Sequence, residues 1–84
     1  QESVLANYNI ALMYEYGKGI APNYFKAKRY FIVAAENGSA AAMFKLAHVY
    51  QYRGYTMTAN DYLHQAAMHG YRPAIAALAW RDYL

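Results

Sequence analysis

The sequence predicts an all-α protein, an α-solenoid of antiparallel helix pairs with two full repeats and a third A-type helix. Two observations carry that prediction. Tyr24 to Gly38 places Ala27, Tyr30, Phe31, Ala34 and Ala35 on one helical face, sets Lys26, Arg29, Val33 and Glu36 on the other, and stops on a glycine. Thirty-two residues further on, Ala59, Tyr62, Leu63, Ala66, Ala67 and Gly70 repeat the spacing in different sequence. Self-similarity at a period of about 30 to 40 residues is the mark of stacked helical units, none of which buries its apolar face alone.

The elements follow in order. Ser3 to Tyr16 reads as a first A helix, with Ser3 as N-cap and Ala6, Ile10, Met13 and Tyr14 along one stripe. Residues 17–23 form a connection: Gly17 and Gly19 supply backbone freedom, and Pro22 biases Ala21 away from helix. Asn23 caps the first B helix, which runs to Asn37; Gly38 ends it, and Ser39 caps the next. The second A helix spans about Ala40 to Tyr52, where Ala42, Leu46, Val49 and Tyr50 match Ala6, Ile10, Met13 and Tyr14 at an offset of 36. The following connection is shorter by four residues, so the offset falls to 32 in the second B helix, which starts near Thr56 or Thr58 as cap and ends at Gly70. A third A helix opens at Arg72-Pro73, with proline tolerated in the first turn, and carries Ala74, Leu78 and Ala79 in register with Ala42, Leu46 and Ala47. The units are therefore about 3–38, 39–70 and a partial 71–84 of one domain, expected to be a piece of a longer array.

Composition sets bounds on function. A folded chain of 84 residues buries roughly 60% of the surface its unfolded form exposes, so the core is thin. Eleven tyrosines contribute much of the 58% hydrophobic content, which favours rings packed with their hydroxyls reaching water. The net charge of +3 is spread along the chain without a like-charge block. Cysteine is absent, which excludes disulfides, thiolate metal sites and a thiol nucleophile and leaves the compartment undecided. No apolar run approaches the roughly 18 residues that a membrane span needs.

Ala6, Ile10-Ala11, Tyr14, Gly17-Lys18-Gly19-Ile20, Lys26-Ala27, Tyr30-Phe31, Ala34-Ala35 and Gly38 together resemble the Sel1-like repeats, relatives of the tetratricopeptide repeats. The second unit keeps Ala42, Leu46-Ala47, Tyr50, Ala59, Tyr62-Leu63, Ala66-Ala67 and Gly70 but replaces the Gly-x-Gly loop by Arg53-Gly54-Tyr55. The third keeps Ala74 and Leu78-Ala79, with Asp82 where the others have tyrosine. Ala11, Ala47 and Ala79 stand where neighbouring helices approach to about 8–10 Å. The resemblance implies adaptor or scaffold roles, often bacterial, and A helices that line a concave ligand-facing side.

The first A helix carries a second stripe, Tyr8, Leu12 and Tyr16 with Glu15 beside it, roughly 160 to 200° from the first. The same geometry gives Phe44, His48 and Tyr52 with Gln51 in the second A helix, and Ala76, Trp80 and Tyr83 in the third. With the resemblance, this implies an aromatic groove that binds a protein or peptide; without it, the stripe equally fits packing between adjacent A helices. Self-association through open repeat ends is the alternative role. No catalytic residue, metal site or cofactor is expected. His64 and His69 diverge by about 140° around their helix, and Glu15 is the only carboxylate on the groove side before Asp82. Gly17-Lys18-Gly19 follows a helix and lacks P-loop spacing, and Lys26, Lys28 and Arg29 read as a solvated outer face, not a nucleic-acid site.

Overall fold

In the computed structural model, which describes residues 2–83 and the side chains of residues 3–81, five helices follow one another. They are α1 (Glu2–Tyr16), α2 (Tyr24–Glu36), α3 (Ala40–Tyr52), α4 (Thr56–Met68) and α5 (Arg72–Tyr83). The predicted architecture is the observed one. Contacts run between successive helices, α1 with α2, α2 with α3, α3 with α4 and α4 with α5, as in a stacked array of pairs, and the slab measures 40 × 28 × 17 Å.

The B helices form as their periodicity dictates. In α2, Ala27, Phe31, Ala34 and Ala35 are buried while Lys26, Arg29, Val33 and Glu36 face solvent. In α4, Ala59, Leu63 and Ala66 repeat the burial. Asn23 accepts a hydrogen bond from the Lys26 N–H at 3.0 Å, and Ser39 accepts one from the Ala42 N–H at 3.1 Å, so α2 and α3 start on the caps the sequence offers.

Three expectations fail. Helix α1 begins at Glu2, which places Ser3 inside the helix, where its backbone carbonyl accepts from the Asn7 side-chain amide at 2.8 Å. Helix α4 begins at Thr56 with Tyr55 at the cap position and no side-chain cap bond, so neither Thr56 nor Thr58 caps it. The buried face of α1 is also rotated from the Ala6-Ile10-Met13-Tyr14 stripe. Ala6 and Met13 are exposed and Ala11 is fully buried, flanked by half-buried Tyr8, Leu12 and Tyr14. Alanine wins because α2 must come close, and a methyl group is what the gap holds. Ala47 plays the same part in α3, whereas Ala79 is exposed, since among the described residues no helix follows α5.

Tyrosine supplies a second, outer layer of packing. Tyr14 stacks on Tyr30 at 5.9 Å and 11°, and the repeat-equivalent Tyr50 stacks on Tyr62 at 5.7 Å and 8°. Lys26 lies over the Tyr14 ring and Lys28 over the Tyr50 ring, both at 5.5 Å, so two cations expected on a solvated face cover aromatic rings. Burial raises the Tyr62 pKa above the usual tyrosine value, with Tyr50 and Glu36 adding to it.

The two A–B connections differ. Residues 53–55 make a tight reversal in which the Tyr55 N–H donates to the Tyr50 carbonyl at 2.9 Å, with Gly54 at φ +86°. Residues 17–23 take a wider path, pinned where the Asn23 N–H donates to the Tyr14 carbonyl at 3.0 Å. Gly17 there has φ +71°, and a Cβ would stand 2.6 Å from Pro22 Cγ.

Two outcomes follow for chemical denaturation. Ala34→Leu, at a fully buried site, should cost about 1–3 kcal/mol, and Arg29→Ala on the exposed face should change stability by less than about 0.5 kcal/mol. Equal midpoints would mean that close approach at α2 limits nothing. Gly17→Ala should cost more than Gly54→Ala, because both lose the left-handed conformation, at about 1–2 kcal/mol, but only Gly17 also meets Pro22.

Candidate interaction surface

The A helices α1, α3 and α5 carry the ten side chains expected to bind a partner, and the structure divides them. Tyr8 packs edge-on against Phe31 at 5.8 Å, and burial raises its pKa above the usual tyrosine value against the opposing pull of Lys45. Leu12 and Phe44 are half-buried against the core. Phe44 meets the His48 ring edge-on at 4.5 Å and the Tyr71 ring at 5.3 Å. These positions are packing as much as surface, as the residue pattern alone allowed.

Of the others, those whose side chains are described face outward. Tyr16 is 60% exposed and Tyr52 91% exposed; His48 and Gln51 are exposed as well. His48 Nδ1 lies 3.1 Å from the Phe44 carbonyl one turn earlier. Trp80 is 62% exposed on α5, one turn beyond Ala76. Tyr83 belongs to α5, and its side chain lies outside the described residues.

Lys45, absent from the expected set, ties this face together. Its ammonium donates to Glu15 Oε1 at 3.3 Å and to the Tyr16 hydroxyl at 3.1 Å, and it lies over the Tyr16 ring at 5.4 Å. Partial burial disfavours the ammonium, but the Tyr16 hydrogen bond and Glu15 outweigh it, and the Lys45 pKa sits above the ordinary lysine value. The signal was present, since Lys45 is the only Asp, Glu, Lys or Arg in α3 and follows Phe44 directly. Nothing in local spacing pairs it with a carboxylate thirty residues earlier.

Behind the face, α3, α4 and α5 enclose a cleft of about 330 Å³. Phe44, His48 and Gln51 from the expected set line it, together with Ala47, Thr56, Ala59, Asn60, Leu63, Ala77 and Arg81. Arg81 Nη1 donates to Asn60 Oδ1 across it. Thr56, Asn60 and Arg81 escape a pattern search because they reach one place from two helices. Among the described residues no group of three histidine, aspartate or glutamate side chains is arranged for a metal, and no helix is long and apolar enough to cross a membrane.

Two copies of the Sel1 repeat match this chain, over residues 4–39 and 40–71. The chain belongs to the Sel1 repeat family. Sel1 repeats are helical units that generally mediate protein–protein interactions and are not catalytic. No curated protein and no solved structure matches the chain.

The Glu15–Lys45 pair is partly exposed, so a double-mutant cycle with Glu15→Gln and Lys45→Met should give a coupling of about 0.2–1 kcal/mol that shrinks with added salt. The Lys45 pKa is raised in the fold, so its stabilisation is whole below the ordinary value of 10.5 and is lost as pH rises through the folded value. Coupling that persists in strong alkali would show that charge is not its source.

Proposed function

We propose that this Sel1 repeat chain is a non-enzymatic adaptor or scaffold module that holds a peptide or protein segment along the concave face of α1, α3 and α5. The observation that supports it most is the set of aromatic and polar side chains left outward on that face. Tyr16, His48, Gln51 and Tyr52 point away from the core although Tyr8, Leu12 and Phe44 on the same helices pack inward. An exposed tyrosine offers broad contact area at small cost in side-chain entropy, and its hydroxyl remains available to fix register. Lys45 holds Tyr16 in place before any partner arrives, which lowers the ordering cost of binding.

The mechanism is binding alone. Apolar side chains of the partner cover the rings of Tyr16, Tyr52 and Trp80, and Glu15, Gln51 and His48 make polar contacts at the margins. No cofactor takes part.

A nine-residue phage-displayed library selected on the wild-type chain tests this reading. The selected peptides should bind the Tyr16→Ala, His48→Ala, Tyr52→Ala variant at least tenfold more weakly, with helicity by circular dichroism unchanged because all three side chains are exposed. Tyr8 and Phe44 are left intact, since truncating them would disturb the packing on Phe31 and Tyr71. Equal binding to both chains would place the partner elsewhere.

A further inference from the structure

The two joints of the array, one at α1–α2–α3 and the other at α3–α4–α5, are built from corresponding positions filled differently. The repeat register sets Glu15 against Gln51, Lys28 against Asn60, Phe31 against Leu63, Lys45 against Ala77 and Val49 against Arg81. At the first joint Glu15, Lys28, Phe31 and Val49 line a cleft of about 250 Å³ that does not extend to Tyr8 or Lys45. Lys45 instead reaches across to Glu15 and Tyr16. At the second joint Ala77 and Leu63 are the smaller residues, and the cleft, about 330 Å³, runs through to Phe44 and His48 on the A-helix face.

The charge changes with the shape. The first joint balances the acid of Glu15 with the base of Lys28. At the second both become amides, Gln51 and Asn60, and a cation returns from the third wall as Arg81. Among the described residues no carboxylate lines this cleft. A guanidinium has five N–H donors in a planar fork suited to a carboxylate, and the bond to Asn60 uses one of them. The floor, Ala47, Ala59 and Leu63, is apolar. A charge-assisted hydrogen bond beside an apolar wall is stronger than one in open water.

We propose that this cleft is the anchor pocket for an aspartate or glutamate side chain of the bound polypeptide, with Arg81 taking its carboxylate. The proposal rests on the interaction-module reading and names the chemistry of its partner. The volume stands at the lower end of the roughly 300–1,000 Å³ of ligand pockets, enough for a side chain and its flanking backbone. One guanidinium among neutral amides matches a single negative charge, whereas a phosphate brings about −1.5 to −2.

The test is an NMR titration of the ¹⁵N-labelled chain with three nine-residue peptide libraries, randomised except for a central glutamate, glutamine or phosphoserine. The glutamate library should shift the Asn60 side-chain amide and the Arg81 Nε–H and bind about tenfold more tightly than the glutamine library. Arg81→Gln should erase that preference, and Ala77→Lys, which copies the first joint, should close the cleft, while Met68→Ala, at an exposed site on α4 outside the cleft, binds as wild type. Circular dichroism confirms that each variant stays folded. Equal affinity for glutamate and glutamine, or tighter binding of phosphoserine, overturns the proposal. Shifts confined to Tyr16 and Tyr52 overturn it while leaving the interaction module standing, and no shift with any library counts against both.

Discussion

Everything in this fold depends on how close one helix backbone comes to the next at the alanine positions. Ala11, Ala34, Ala42, Ala66 and Ala74 are fully buried, one from each of the five helices. A methyl group contributes little transfer free energy of its own, so these residues stabilise mainly by permitting contact. Their smallness lets Phe31 and Leu46, the two large side chains with almost no exposure among the described residues, fill the remaining volume from α2 and α3. A larger residue at any of these sites would separate the helices and open gaps around both.

A core that thin cannot enclose its aromatic residues, and the tyrosines show the consequence. Tyr14, Tyr30, Tyr50 and Tyr62 lay their rings against one another at equivalent places in the two units. The ammonium groups of Lys26 and Lys28 then lie over the Tyr14 and Tyr50 rings. This outer layer repeats with the helices, and it explains how a small chain with 18% aromatic residues keeps its large rings partnered without a deep interior. The A-helix side is different, because there the tyrosines at the helix ends, Tyr16 and Tyr52, extend past the packing altogether.

The sequence made the fold legible where a helix buries one face and exposes the other. That is so for α2 and α4, whose inward residues were all identified from spacing. Helix α1 was legible at Ala11, its close-approach site, but not in the Ala6-Ile10-Met13-Tyr14 stripe, because bulkier residues flank Ala11 on both sides and hydrophobic weight points to the flanks. Capping was legible at Asn23 and Ser39, where an acceptor immediately precedes the periodic run, and misleading at Ser3 and Thr56, where the helix absorbs the candidate cap. The binding face was half visible. Spacing gathers Tyr16, His48 and Tyr52, each on its own helix, but joining Lys45 to Glu15, or Arg81 to Asn60, requires knowing how helices far apart in sequence are set against one another.

The asymmetry of the two joints shows what repetition leaves free. The close-approach alanines and the tyrosine stacks of the two full units recur at offsets of 36 and 32, so both units stand on the same frame. Among the positions that change, Glu15 to Gln51, Lys28 to Asn60, Lys45 to Ala77 and Val49 to Arg81 lie at the joints between neighbouring units. A joint closed by an ion pair and one left open with a guanidinium in its wall stand on the same backbone plan. Shortening the A–B connection from residues 17–23 to 53–55 removes Pro22 and Asn23, which line the first cleft, from the second. Chemistry in this chain is therefore written in the joints, where a substitution alters charge and volume without touching the alanine contacts that hold the array.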